Sequence, residues 1–205
     1  MSFDVAKYWE TINSQRRPID FLVEFYNSIS SPPPYETVEQ KLRAHQREWM
    51  MLQIRRQGWN KLLDAGCGPG FWFQLWKELG LNASAVDRAS TAQARAEEMS
   101  SMLEVNVPFE CATLDKLPYA DKSFDVVVTV KVLLHTPPED IVGVMKELGR
   151  VASHLMLLER HASGKQKLRE HVFEHDLRAI AESQGYQTIC DEVHEGDQNF
   201  FVFKT

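Results

Sequence analysis

The stretch Leu62-Leu63-Asp64-Ala65-Gly66-Cys67-Gly68-Pro69-Gly70 decides the predicted fold. The pattern predicts an apolar strand followed by a turn that contains three glycines. After the turn it predicts a helix from Phe71 to Leu79. Glycine allows positive φ and lets a ligand approach without a Cβ in the way. The start of a helix adds unpaired N–H groups and a positive dipole end. The alternative is a tight turn that binds no ligand.

A carboxylate ends the next predicted strand. Asp87 lies 17 positions after Gly70, where an acid can accept hydrogen bonds from both hydroxyls of a ribose. An isolated Asp would be interpreted as a solvated loop residue, but its pairing with the glycine turn favours a nucleoside site. The dinucleotide fingerprint Gly-x-Gly-x-x-Gly is not met, because Phe71 stands where the third glycine belongs.

Predicted strands alternate with helices from Trp59 onward. The strands are Lys61–Ala65, Asn82–Asp87, Val107–Ala112, Phe124–Thr129, His154–Glu159, Gln187–Val193 and Asn199–Lys204. The helices among them are Phe71–Leu79, Ser90–Met102 with Ser90 as its cap, Pro137–Arg150 and Lys165–Gln184. Alternation predicts a parallel sheet covered on both faces, and a short Glu195-Gly196-Asp197 turn makes the last two strands antiparallel. We therefore predict a doubly wound, mostly parallel seven-stranded α/β sheet, Rossmann-like, with an antiparallel last strand.

Residues 1–57 are predicted to be a helical cap or lid on a core of residues 58–205, within one compact domain. One helix is predicted around Ile19–Ile29, ended by Ser30–Pro34. A second runs from Glu36 to Gln57 with an apolar side of Val38, Leu42, Trp49, Met50, Leu52 and Ile54. Tyr8-Trp9 is a candidate lid over a ligand, and core packing is the alternative.

Composition limits the possible functions. The 205 residues are 43% hydrophobic and 25% charged, as in soluble globular proteins. A net charge of −6 argues against a nucleic-acid partner that needs a large basic face. No apolar run is long enough to span a membrane, and no signal peptide is visible. Three cysteines, an odd number without a Cys-x-x-Cys pair, favour a reduced, cytoplasmic protein.

From Trp59 to Arg160 the chain resembles the class I S-adenosylmethionine-dependent methyltransferases. Asp64–Gly70 resembles the first motif of that family, and Asp87 resembles its ribose-binding acid. Ala112–Asp125 is similar to the segment that runs from the adenine contact through Leu-Pro to Ser-Phe-Asp. Val128–Thr136 resembles the fourth strand and the loop beside the transferred methyl group.

The resemblance implies S-adenosyl-L-methionine as cofactor and S-adenosyl-L-homocysteine as product. Thr113 replaces the usual Asp at the adenine, so backbone groups of Thr113 and Leu114 would carry more of that contact. The implied cofactor-binding residues are Asp64, Ala65, Gly66, Cys67, Gly68, Gly70, Asp87, Arg88, Thr113, Leu114, Val130 and Lys131.

Histidines are the candidate catalytic residues. A hydroxyl acceptor benefits from a general base, for which His135 is the first candidate and His161 the second. His171 and His175 lie four apart on a predicted helix, but without a His-Glu-x-x-His pattern we predict no metal site.

The predicted function is methyl transfer to a small-molecule acceptor, at oxygen or nitrogen rather than carbon, with no nucleic-acid or membrane partner. The segment Ser31-Pro32-Pro33-Pro34-Tyr35 resembles the Pro-Pro-Tyr motif of DNA amino-methyltransferases, but that motif belongs after the fourth strand. Two alternatives stay open: an NAD-dependent oxidoreductase, and a methyltransferase-like domain that binds without catalysis.

Overall fold

The computed structural model of the chain describes residues 4–15, 17–20, 38–160, 171–194 and 198–205. Its centre is a seven-stranded sheet in the order β3-β2-β1-β4-β5-β7-β6. The strands are β1 Lys61–Ala65, β2 Asn82–Asp87, β3 Phe109–Cys111, β4 Phe124–Val130, β5 Ala152–Arg160, β6 Gln187–His194 and β7 Gln198–Lys204. These bounds agree with the predicted strands to within two residues.

The direction of the strands confirms the predicted fold class. Strands β1 to β5 pair in parallel, so their carboxyl ends meet at one edge of the sheet. Strand β7 is antiparallel to both β5 and β6. The turn predicted at residues 195–197 lies outside the described residues.

Helices cover both faces of the sheet. They are α1 Val5–Gln15, α2 Val38–Gln57, α3 Phe73–Glu78, α4 Ser90–Met102, α5 Ile141–Val151 and α6 Leu177–Ser183. Successive strand residues point to opposite faces. Thus Leu62 packs in a core cluster with α2, α3 and α4, whereas Leu63 packs in the cluster with α5 and α6. Within the described ranges, no helix has the length and apolar character that crossing a bilayer requires.

The buried side of α2 differs from the prediction at one position. Trp49, Met50 and Ile54 are buried as expected, but Leu52 is 59% exposed. Each residue turns a helix by about 100°, so Leu52 lies roughly opposite Met50. The predicted helix over Ile19–Ile29 and its proline stop lie outside the described residues from position 21 on.

The predicted helix from Lys165 to Gln184 is wrong at its start. Residues 165–170 lie outside the described residues, and residues 171–176 are not helical. The helix α6 begins only at Leu177, where the Asp176 carboxylate accepts a hydrogen bond from the Ala179 N–H at 2.9 Å. The preceding segment bonds to another part of the chain instead, since Phe173 N–H donates to the Leu134 carbonyl at 2.8 Å.

The helix α4 is capped by another helix and not by Ser90. Ser90 is its first helical residue, and Ala89 at the cap position makes no side-chain cap. The Glu10 carboxylate of α1 accepts hydrogen bonds from the N–H groups of Ser90, at 2.8 Å, and Thr91, at 3.0 Å. A negative charge at a helix start is favourable, because it meets the exposed N–H groups and the positive dipole end. These hydrogen bonds hold α1 against the start of α4, at the carboxyl edge of the sheet.

We predict that Glu10→Ala lowers the free energy of unfolding by about 1 kcal/mol, the usual loss for a removed helix cap. Urea unfolding followed by circular dichroism measures the change. The control is Glu48→Ala, which removes an exposed carboxylate of α2. Equal stabilities for the two variants would show that the contact between α1 and α4 contributes nothing.

Candidate active site

A cavity of about 540 Å³ lies at the carboxyl edge of the sheet. Its walls include Gly66 after β1, Asp87 at the end of β2 and Lys131 after β4, with Trp9 of α1 and Gln46 of α2 above them. Ligands of open α/β sheets bind at this edge, and this volume is typical of small-molecule sites.

The glycine turn permits two close approaches. Gly66 has φ +74°, and a Cβ there would lie 2.5 Å from the Val132 Cγ1 atom. Gly68 has φ +53°, and a Cβ there would meet only the Asn13 Oδ1 atom, at 3.9 Å. The first glycine therefore lets the loop after β4 pack onto the turn, and the second leaves the cavity side of the turn open.

Four N–H groups of the glycine turn, those of Gly66, Cys67, Gly68 and Gly70, are hydrogen-bonded within the chain. Gly66 and Cys67 donate to the Val86 carbonyl at 2.8 and 3.2 Å. Gly68 donates to Asp87 at 2.9 Å, and Gly70 donates to the Cys67 carbonyl at 3.1 Å. The chain satisfies these donors itself, because the turn folds back over the end of β2. These four N–H groups are therefore already used, and what the turn offers a ligand is the open space at Gly68 and its carbonyl oxygens.

Asp87 is held by the backbone on both of its oxygens. Its Oδ2 atom accepts from Gly68 N–H at 2.9 Å, and its Oδ1 atom accepts from Ala89 N–H at 3.0 Å. Burial raises the pKa of this carboxyl, and the N–H donors oppose that rise. Each carboxylate oxygen has a second lone pair, so the fixed side chain can still accept hydrogen bonds from a diol in the cavity.

Asp64 lies deeper in the cavity wall. Its Oδ2 atom accepts a hydrogen bond from the Trp76 indole N–H at 2.8 Å. Burial raises the pKa of Asp64 to about 7, and the charge of Asp87 adds to the rise. Burial also raises the pKa of the neighbouring Cys67 thiol, so this cysteine stays protonated and is a poor nucleophile.

The loop after β4 is positioned by a buried acid. Glu159, at the end of β5, accepts hydrogen bonds from the N–H groups of Val132, at 3.0 Å, and Leu133, at 3.1 Å. Lys131 takes φ +57° and donates its N–H to the Leu158 carbonyl at 2.9 Å. Burial raises the pKa of Glu159 to about 7. The loop is thus joined to β5 through its backbone.

His135 follows this loop and faces the cavity. Its Nδ1 atom lies 2.9 Å from the His171 carbonyl oxygen, which can only accept, so the Nδ1–H donates. Burial lowers the pKa of His135, which favours the neutral ring. The fixed proton on Nδ1 leaves Nε2 as the basic nitrogen. The Trp9 ring packs edge-on against this imidazole, with centroids 4.9 Å apart.

His171 and His175 do not share a helix face, in contrast to the prediction. The ring of His175 donates from Nε2 to the Thr136 carbonyl at 2.9 Å, and the ring of His171 packs on Tyr8 with centroids 4.5 Å apart. Both residues therefore contact the segment that follows β4, His175 through its ring and His171 through its carbonyl oxygen.

The structure brings most of the predicted site residues together. The cavity is lined by Asp64, Gly66, Cys67, Gly68, Asp87, Arg88, Thr113, Leu114, Val130, Lys131 and His135. Ala65 is not among them, because its side chain belongs to the core cluster on the α5 face. Gly70 is also absent, since it packs against the Phe73 ring. His161 lies outside the described residues.

Sequence reasoning missed several lining residues. They are Ile12, Asn13, Arg43, Gln46, Pro69, Phe71, Trp72, Ala112, Asp115, Val132, Thr136, Pro137, Asp140 and Val144. For one of them the sequence held a signal. Gln46 lies four residues after Leu42 and three before Trp49, so it is a polar residue in the middle of an apolar stripe.

Comparison with known proteins gives this site a context. Residues 62–154 match a family model described as a methyltransferase domain. Methyltransferase GfsG of Streptomyces halstedii is 36% identical over 95 residues, which are 45% of this chain and 34% of that protein. A malonyl-(acyl-carrier protein) O-methyltransferase of Erwinia billingiae is 36% identical over 72 residues, which are 35% of this chain and 27% of that protein. The chain thus spans about a third of the length of these curated relatives.

A solved structure shows the same fold over almost the whole chain. It is magnesium protoporphyrin IX methyltransferase from Synechocystis PCC 6803 with bound SAH, which matches with a TM-score of 0.70 at 17% identity. The match covers 98% of both chains.

We predict that Gly66→Ala destabilises the protein by about 1–3 kcal/mol more than Gly80→Ala does. Both glycines have positive φ, but the added Cβ overlaps Val132 at position 66 and meets nothing within 4 Å at position 80. Urea unfolding of both variants separates the overlap from the backbone strain that they share. Equal losses would mean that Val132 moves aside freely.

Proposed function

We propose that this chain, whose residues 62–154 match a methyltransferase domain, is a class I S-adenosylmethionine-dependent methyltransferase that transfers a methyl group to a small-molecule acceptor, at oxygen or nitrogen. One observation carries this proposal. A single cavity joins a backbone-held carboxylate, Asp87, to a neutral histidine, His135, across the open side of the glycine turn.

The residues of the cavity fit the donor. Asp87 has lone pairs for the ribose hydroxyls, and the open space at Gly68 lets the donor lie against the turn. Thr113 and Leu114 line the part of the cavity that follows β3, where the adenine would bind. Asp64 would lie beside the methionine part of the donor, while Val130 and Lys131 would face its sulfonium.

Bound S-adenosylmethionine supplies a methyl group on a positively charged sulfur, already activated for in-line displacement. The chain contributes positioning and exclusion of water. His135 is held by its Nδ1–H, so its Nε2 atom can take the proton of an acceptor hydroxyl or amine. Trp9 packs on this ring and lines the same cavity, which supports the proposal that residues 1–57 form a lid.

For the methyl acceptor, only its chemical class is proposed. The relatives named malonyl-(acyl-carrier protein) O-methyltransferase and magnesium protoporphyrin IX methyltransferase favour a small molecule or a carried group over nucleic acid. The net charge of −6 agrees with this choice. A cytoplasmic location stays a prediction from the cysteine count.

We predict that S-adenosylhomocysteine binds with micromolar affinity, roughly −7 to −9 kcal/mol, and that NADH does not bind. Asp87→Ala should weaken the binding of S-adenosylhomocysteine at least about tenfold, because charge-assisted hydrogen bonds are lost. Isothermal titration calorimetry measures both. Glu110→Ala is the control, since Glu110 is exposed on the neighbouring strand β3 and lies outside the cavity walls. Binding of NADH alone would overturn the proposal.

We predict that His135→Ala lowers turnover by about 10²–10⁴ and leaves the binding of S-adenosylhomocysteine nearly unchanged. The wild-type rate should rise with pH through a pKa below the usual 6.5, because burial lowers the pKa of His135 and only its neutral form is a base. The variant should lose that dependence.

The matched control is His154→Ala. His154 also lies within hydrogen-bond distance of a backbone carbonyl, that of Asp125 at 3.2 Å, but does not line the cavity. Initial rates on an identified acceptor across pH 5–8 give the comparison. If the His135 variant keeps full turnover, the His135 ring has a structural role and is not the general base.

A further inference from the structure

Four aromatic rings form a closed cluster at the cavity. Tyr8 and Trp9 of α1 supply two of them, with centroids 5.0 Å apart. His171 packs on Tyr8 at 4.5 Å, and His135 packs on Trp9 at 4.9 Å. The two imidazoles complete the cycle, because they stack with centroids 5.4 Å apart and an interplanar angle of 20°. The cluster therefore joins α1 to the histidine that is proposed as the general base.

This cluster restricts rotation of the His135 ring. A rotation would break the hydrogen bond from Nδ1–H to the His171 carbonyl and would disturb the ring contacts with His171 and Trp9. Burial is the largest cause of the lowered pKa of His135. The hydrogen bond to His171 opposes that shift, and the charge of the His171 ring adds to it. Trp9 and His171 supply part of the burial, because both rings pack on the imidazole.

Contacts with α4 hold the helix that carries Tyr8 and Trp9. Glu10 follows Trp9 directly, and its carboxylate accepts hydrogen bonds from the N–H groups of Ser90 and Thr91. The Thr91 hydroxyl donates to the Glu10 carbonyl at 3.1 Å. The hydrogen bond from the Thr91 side chain is the largest cause of the lowered pKa of Glu10. Glu10 does not line the cavity, so its effect on the cavity passes through α1.

We propose that Glu10 and Tyr8 are positioning residues for His135. Glu10 fixes α1 to α4 and so keeps Trp9 against the imidazole. Tyr8 packs on His171, whose carbonyl oxygen holds the Nδ1–H. With both contacts in place, the basic nitrogen of the ring is Nε2 and not Nδ1. This inference rests on the proposed function, because His135 is a base only toward an acceptor proton.

The experiment observes the His135 imidazole by NMR, with neither donor nor acceptor present. In nitrogen-labelled protein, two-bond proton–nitrogen spectra recorded as a function of pH give the tautomer and the pKa of each histidine. The signal that is missing in His135→Gln identifies the residue. Wild type should show the Nδ1–H tautomer and a pKa below the usual 6.5.

Glu10→Ala and Tyr8→Leu should each change this signal. When Trp9 or His171 moves off the ring, the pKa of His135 should rise toward 6.5, since burial lowers it. The Nε2–H tautomer should then appear beside the Nδ1–H tautomer. Two conservative variants should largely restore the wild-type signal. Glu10→Gln keeps an oxygen that accepts from α4, and Tyr8→Phe keeps the ring that packs on His171.

Asp125→Ala is the matched control for a general loss of stability. The Asp125 carboxylate also accepts hydrogen bonds from two backbone N–H groups, those of Asn60 at 2.9 Å and Lys61 at 2.8 Å. These contacts lie at the start of β4, at the amino edge of the sheet. Asp125→Ala should therefore lower the melting temperature, as Glu10→Ala does, and leave the His135 signal unchanged.

Turnover is compared on the acceptor used for His135→Ala and His154→Ala. At saturating substrates, Glu10→Ala should react about tenfold more slowly than wild type, and its rate should rise at a higher pH. The inference is wrong if the His135 tautomer and pKa stay unchanged in both Glu10→Ala and Tyr8→Leu. It is also wrong if Asp125→Ala changes them as much. A change in one variant alone keeps that residue and removes the other.

Full turnover of His135→Ala overturns the proposed base instead. The NMR signals require no acceptor, so they still decide whether Glu10 and Tyr8 hold the imidazole.

Discussion

The buried carboxylate of Glu159 is the contact on which the arrangement of the site depends. It holds the backbone of Val132, and the Val132 side chain occupies the space that a Cβ would take at Gly66. Gly66 in turn bonds to β2 through Val86, next to Asp87. Four strand ends, of β5, β4, β1 and β2, are thus connected by short contacts. An exposed acid in place of Glu159 could not do this, because water would compete for the same N–H groups.

The N-terminal helices complete a site that the sheet alone would leave open. The helix α1 is fastened by Glu10 at the start of α4, and it carries Trp9 over His135. The helix α2 is anchored by its apolar half on the sheet, and its first turns bring Arg43 and Gln46 to the cavity. The same helices therefore cover the core and supply side chains to the cavity. For variants in these helices, the free energy of unfolding and the affinity for a ligand must be measured separately.

Local patterns predicted the sheet accurately and the connections less well. The strands were predictable because apolar runs between glycine turns leave few alternatives. The cap at Ser90 and the helix through His171 were wrong for a shared reason. In both places a local preference was overridden by a distant group, Glu10 in one case and the loop at Leu134 in the other. Such partners are far apart in the sequence and leave no periodic signal.

The sequence by itself determined the order of strand, glycine turn and helix, and the position of Asp87 at the end of the second strand. These follow from backbone preferences and side-chain periodicity, which act over a few residues. Only the tertiary structure decided that the N–H groups of the turn are used internally, that the neutral ring of His135 is fixed by a carbonyl, and that Gln46 is buried in the cavity wall. Each of these depends on contacts between elements that are brought together when the helices pack on the sheet and apolar surface is removed from water.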